Sequence, residues 1–193
     1  MVLIFTRKVN EIRLTFLIFS PIVKNSNYGV YYKNKTTHRK ESSMEIERKF
    51  TIKELPDLSS FPSKKIVQAY LNTDPVIRIR RENDDYYLTY KGKGLLAREE
   101  HNLPLNRESF EHLLPKADGI IISKTRYCIP FEKYIIELDI FEDTLAPLIM
   151  AEVEFESEEE AHAFLPPTWF LEDVTNDKRY HNSNMSKGIT PLA

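Results

Sequence analysis

Two pairs of carboxylates stand two positions apart in this chain of 193 residues: Glu45 with Glu47, and Glu152 with Glu154. Successive side chains of an extended strand point to opposite faces, so each pair shares a face. Paired oxygen donors suit hard divalent ions such as Mg2+ or Mn2+, which take octahedral oxygen shells. Basic residues recur at the same spacing. Arg78 pairs with Arg80 and Lys124 with Arg126, while Lys49 continues the face of Glu45 and Glu47. Such side chains grip phosphate oxygens, arginine in bidentate fashion. Glu137 and Asp139 form a further acidic pair. A polyanion accompanied by divalent cations would satisfy both signs at once. Phosphoryl transfer needs chiefly positioning and charge stabilisation, with a metal-activated water as nucleophile. The sequence has no GxxxxGK[ST] loop, no GxSxG, no Cys/His pair, and no metal-ligand spacing among its five histidines.

These residues need strands to carry them. Period-2 alternation predicts strands at 45–52, 65–71, 76–81, 85–91, 99–105, 119–130, 134–141 and 148–156. Gly92 and Gly94 break the chain after the fourth. Helices are expected at 106–114, capped by Asn106, and at 157–165, capped by Ser157 and ended by Pro166-Pro167. The fold class is mainly β with a few short flanking helices, an eight-stranded antiparallel closed barrel. Five strands set charges on one face and apolar residues on the other, as Glu45, Glu47 and Lys49 oppose Ile46 and Phe50. With the apolar faces packed on helices, the charged faces line one surface or the interior, and a barrel of this size encloses a small ligand.

Net charge is −2 and there is one cysteine, Cys128. No global attraction to nucleic acid or to an anionic membrane follows, and no intramolecular disulfide can form; the reading is cytoplasmic. Residues 1–43 differ from the rest. Their apolar run at 14–23 contains Pro21 and is too short to span a bilayer. Arg39-Lys40-Glu41 back-translates into purine-rich codons just ahead of Met44, as a bacterial ribosome-binding site would. The expectation is an unstructured extension over 1–43, upstream of a true start at Met44, one domain over 44–188, and a tail at 189–193.

Glu45-Ile-Glu-Arg-Lys49 matches ExExK, and ordered matches follow it: Gln68-Ala-Tyr70-Leu, Arg78-Ile-Arg80, Leu88-Thr-Tyr-Lys91-Gly, Lys124-Thr-Arg126-Tyr, Glu137-Leu-Asp139, Glu152-Val-Glu154-Phe, and Asp173 to Asn182. Together they resemble the CYTH superfamily, the triphosphate tunnel metalloenzymes, over nearly the whole of 44–188. The resemblance implies an eight-stranded tunnel. It implies Glu45, Glu47, Glu152 and Glu154 as metal ligands for Mg2+ or Mn2+, with Lys49 also in the catalytic set. Lys49, Arg78, Arg80, Lys91, Lys124 and Arg126 would bind phosphates. Glu100, following Arg98, stands where the family has the first acid of RxExE, on the substrate-binding side; Asn102 replaces the second acid. The implied activity is hydrolysis of inorganic tripolyphosphate to pyrophosphate and phosphate. The alternatives are a nucleoside or thiamine triphosphatase, a class IV-type adenylate cyclase, or a non-catalytic polyphosphate-binding module. The partner is a triphosphate-containing small molecule or polyphosphate, without nucleic acid or membrane, and a homodimer is left open. Deleting residues 1–43 is expected to leave the melting temperature and phosphate release unchanged; a large loss in either would make that segment part of the folded protein.

Overall fold

The computed structural model describes residues 43–93 and 96–191. Of the expected N-terminal extension over 1–43, residues 1–42 lie outside the described residues, as do the chain break at Gly94 and the last two tail residues, while Ser43 opens the first strand. Nine strands and three helices follow in order: β1 Ser43–Ile52, β2 Ser63–Thr73, β3 Val76–Glu82, β4 Asp85–Lys91, β5 Ala97–Leu105, α1 Arg107–Leu113, β6 Asp118–Phe131, β7 Tyr134–Phe141, β8 Ile149–Phe155, α2 Glu158–Ala163, β9 Phe170–Asp173 and α3 Asn182–Met185. Each expected strand and helix is present within a few residues of its expected bounds. The stretch after 168 forms β9, a 3-10 turn at Lys178–Tyr180, and α3.

All neighbouring strands run antiparallel in the order β5-β4-β3-β2-β6-β7-β8-β1, and β1 pairs back onto β5, from Ser43↔Glu100 to Ile46↔Ala97. The sheet therefore closes into an eight-stranded barrel with no free edge among these strands. The short β9 adds to β1 through Phe50↔Asp173 and Ile52↔Phe170. Register slips around residues 68–72 of β2 against both β3 and β6, a bulge that sharpens the bend of the wall beside Tyr70.

The outward faces are the apolar ones, and helices cover them on two sides. Asn106 Oδ1 accepts from Ser109 N at 2.7 Å and starts α1, whose Phe110 and Leu113 pack on Ala69, Ile79 and Leu88 of β2, β3 and β4. Ser157 Oγ accepts from Glu160 N at 3.2 Å and starts α2. Its Ala161, with Phe164 and Phe170 beyond, packs on Phe50, Leu138, Val153 and Phe155 of β1, β7 and β8. Trp169 and Phe170 seal that side, ring against ring at 4.6 Å. Burying an aromatic or large aliphatic side chain contributes about 1.5–3 kcal/mol, so these two clusters carry most of the stability.

A third cluster lies within the barrel. Tyr70, Ile122, Phe141 and Met150 occupy the inward positions of β2, β6, β7 and β8 at one end, and Leu145, Leu148 and Met185 fill the space between them. Met185 belongs to α3, so the C-terminal segment forms part of an apolar plug at that end. Ile120 N donates to Ser186 O at 2.7 Å to dock this segment on β6. The approach is close enough to require glycine next door. Gly119 has φ +72°, and a Cβ there would stand 2.1 Å from Ser186 O. Gly119→Ala is expected to lower stability by about 2–4 kcal/mol and to loosen the plug, read as a lower Tm with faster proteolysis after residue 180; an unchanged Tm would show that the docking does not hold the segment.

Candidate active site

The inward faces of the remaining barrel length carry the charges. Strand register decides which of them meet. On β1 and β8, Glu47 faces Glu154 and Lys49 faces Glu152; on β7 and β8, Glu137 faces Glu152; on β6 and β7, Arg126 faces Asp139. On β3 and β4, Arg78 faces Thr89 and Arg80 faces Tyr87. The result is a cavity of about 70 Å3 lined by six acids (Glu45, Glu47, Glu100, Glu137, Glu152, Glu154) and six bases (Lys49, Arg78, Arg80, Lys91, Arg98, Arg126). The charges balance, as a low-dielectric interior demands.

Most of these groups are paired. Lys49 Nζ lies 2.6 Å from Glu152 and 3.0 Å from Glu47. Burial would lower its pKa, but the two carboxylates overcome that and raise it, so Lys49 stays charged. Lys91 Nζ meets Glu45 at 2.6 Å and Glu100 at 2.8 Å. Burial would raise the Glu100 pKa, yet its hydrogen bond with Glu45 and the charge of Lys91 hold it below the usual carboxylate range. Arg98 donates from Nε to Glu45 and from Nη2 to Glu47, both at 2.8 Å. Arg126 grips Asp139 bidentately at 2.6 Å, reaches Glu152 at 2.6 Å, and contacts Glu137.

Two groups are left out of this pairing. Arg78 is buried, touches Thr89 Oγ1 at 3.0 Å, and has no carboxylate partner; its Nε bonds to nothing. Burial and the neighbouring Arg80 lower its pKa, the mark of a cation in need of an anion. Across the cavity Glu154 has no cation beside it. The low-dielectric wall, then Glu137, Glu45 and Glu47, push its carboxyl up to about 7, although its side chain still reaches solvent.

The candidate ligands Glu45, Glu47, Glu152 and Glu154 thus line one cavity. Among the described residues, no three metal-binding side chains already converge on one point; Lys49 and Arg98 stand between the acids. The donor set is all oxygen, and Glu154 sits in an acid cluster short of positive charge, so these residues fit a hard divalent ion. Lys49, Arg78, Arg80, Lys91, Glu100 and Arg126 line the same cavity. Lys124 does not. It is fully buried inside the barrel on Asp139, between Arg126 and the apolar plug with Phe141 beside it, and burial, then Arg126, lower its pKa to about 8. Cys128 is half-buried and Lys93 is an exposed turn residue, neither on the cavity. Arg98, which the sequence motif presents only as the residue preceding Glu100 by two, lines the cavity as well, and its parity with Glu100 places both on one face. The contribution of His181, Asn182 and Ser183 to the lining depends on the path of the C-terminal segment, which no strand periodicity reveals.

The fold and this interior define an antiparallel barrel with a charge-balanced core built to receive anions and cations together. The chain belongs to the CYTH domain family, whose profile matches residues 43–187. An inorganic triphosphatase of Nitrosomonas europaea is 41% identical over 152 residues, covering 75% of this chain and 98% of that protein. One from Acetivibrio thermocellus is 35% identical over 152 residues, covering 74% and 93%. A crystal structure of an inorganic triphosphatase, 38% identical, superposes with a TM-score of 0.59 over 76% of this chain and 96% of that one. No described helix is long and apolar enough to cross a membrane.

The pairing predicts opposite outcomes for two arginines. Arg126→Ala takes one of two cations from Asp139 and from Glu152 and the ion-pair partner from Glu137, and is expected to cost about 3–5 kcal/mol in denaturant unfolding. Arg78→Ala removes a cation with no carboxylate to strand and is expected to cost far less, while weakening triphosphate binding about ten- to a hundredfold in calorimetry. Equal unfolding losses would contradict the pairing.

Proposed function

We propose that this chain hydrolyses inorganic tripolyphosphate to pyrophosphate and phosphate with Mg2+ or Mn2+, in the cytoplasm. The observation that carries this reading is the pair of uncompensated groups in one cavity: the Arg78 guanidinium, which lacks an anion, and the Glu154 carboxylate, which lacks a cation. A metal–polyphosphate complex supplies both. The names of the similar proteins support the choice of tripolyphosphate.

Glu45, Glu47, Glu152 and Glu154 would hold the divalent ion, which when bound neutralises phosphate charge and acidifies a water. The chain's own work is positioning. Arg78 and Arg80 face inward from one strand, and Arg80 is steadied by Gln68 Oε1 at 2.8 and 3.1 Å. Lys49, Lys91 and Arg126, each held by carboxylates in the closed pairing, exchange those partners for phosphate oxygens as the substrate enters. Water adds to a terminal phosphorus, the P–O–P bond breaks, and the ring of cations spreads the charge growing on the departing pyrophosphate. An inorganic chain fits better than a nucleotide. The ring-bearing residues of the lining are Tyr70, held in the apolar plug, and His181, whose Nε2 lies 2.9 Å from Thr175 O, so neither is free to stack on a base.

Glu154→Gln keeps the size of the side chain and removes its charge. It is expected to retain the fold and metal-free tripolyphosphate binding while losing nearly all phosphate release with either metal. A panel of tripolyphosphate, nucleoside triphosphates and thiamine triphosphate should rank tripolyphosphate first by kcat/KM. Tight binding without turnover of any of them would leave a polyphosphate-binding module instead.

A further inference from the structure

On the reading that a triphosphate lies against Arg78, we propose that Thr89 and Asn102 form a one-way hydrogen-bond relay that positions the Arg78 guanidinium for phosphate. The three side chains stand in line across adjacent strands, Arg78 of β3 opposite Thr89 of β4, and Thr89 opposite Asn102 of β5. Arg78 Nη2 donates to Thr89 Oγ1 at 3.0 Å. Thr89 Oγ1 donates to Asn102 Oδ1 at 2.7 Å. Asn102 Nδ2 donates to Glu100 Oε1 at 2.8 Å, and the other oxygen of Glu100 meets Lys91 at 2.8 Å.

The direction is forced from both ends. A guanidinium only donates, so the hydroxyl proton of Thr89 must point onward to residue 102. The ionised carboxylate of Glu100 only accepts, so residue 102 must offer it a proton. Residue 102 therefore has to accept on one atom and donate on another while staying uncharged, at the reach of a short side chain. A primary amide does this. An ionised aspartate accepts from Thr89 but turns a second carboxylate toward Glu100, and an aliphatic residue does neither.

The relay solves a problem particular to Arg78. A carboxylate in direct contact would compensate its buried charge but would also compete with phosphate. Here the compensating carboxylate, Glu100, is held two hydrogen-bonded side chains away. One edge of the guanidinium is fixed, and Nε is left without a partner. Asn102 and Thr89 are thus positioning residues, acting on the substrate through Arg78.

The test is steady-state kinetics on tripolyphosphate with Mg2+, calorimetric binding in chelator, and Tm, for Thr89→Val, Thr89→Ser, Asn102→Ala, Asn102→Asp and the Thr89→Val/Asn102→Ala double variant. His101→Ala, on the same strand and bonded to Glu99 instead, is the control. Thr89→Val and Asn102→Ala are expected to raise KM and the metal-free Kd about five- to tenfold, with kcat changed less than about twofold. The double variant should be no worse than the poorer single one, since either break interrupts the same chain. Asn102→Asp should be at least as poor as Asn102→Ala. Thr89→Ser, which keeps the hydroxyl, should restore the unmutated KM, and His101→Ala should match it. An unmutated protein that binds and cleaves tripolyphosphate while these variants behave like it, or show additive losses, or while Thr89→Ser is as poor as Thr89→Val, overturns the relay and leaves the proposed function standing. An unmutated protein that neither binds nor cleaves any triphosphate removes the functional reading, and the role of the relay with it.

Discussion

Charge buried in a low-dielectric interior has to be matched, and the barrel is organised by that requirement. An isolated ion moved from water into protein loses several kcal/mol of solvation even after relaxation, so each acid on the inner wall calls for a base within reach. Closure of β1 onto β5 brings Glu45 beside Arg98 and Lys91, and the β1–β8 pairing sets Lys49 between Glu47 and Glu152. The sheet cannot slip by one residue without turning these charges outward and Ile46, Phe50 and Val153 inward. The electrostatics therefore specify the register as strongly as the outer apolar clusters do.

The same matching prepares the interior for exchange. On the proposed function, Lys49, Lys91 and Arg126 are already desolvated and aimed by carboxylates that a phosphate oxygen can replace. Little solvation remains to be removed when a polyanion arrives, and the freed carboxylates face a site where divalent cations are welcome. Lys124 and Asp139 lie outside this exchange. Fully buried inside the barrel between the cavity and the plug, they brace Arg126 from below, since Asp139 is shared between the two bases.

The barrel itself was readable in the sequence because alternation of charge with aliphatic residues is a period-2 signal as clear as the ordinary polar–apolar one. Glu45, Glu47, Arg78, Arg80, Glu152 and Glu154 fall on one face by parity alone, and they do share the cavity. Depth along the barrel was not readable. Parity puts Lys124 with Arg126, but nothing in either residue says that one touches the cavity and the other lies deeper, against the plug. The inner face also changes character along a strand: Met150, Glu152 and Glu154 all point inward, yet Met150 belongs to the plug. Hydrophobicity of the single residue would have placed it outside. Cross-strand partners such as Arg98 with Glu47 needed the register of a closed sheet, which no local pattern carries.

The apolar plug has a bearing on traffic. Tyr70 lines both the charged cavity and a second one of about 200 Å3 beside Gly119 and Ser186. Met185 and Ile122 are buried beside Tyr70 at that end, so on the proposed function a substrate would enter the charged chamber from the other. A linear phosphate chain would then be taken by a terminus, so longer polymers would be trimmed from an end.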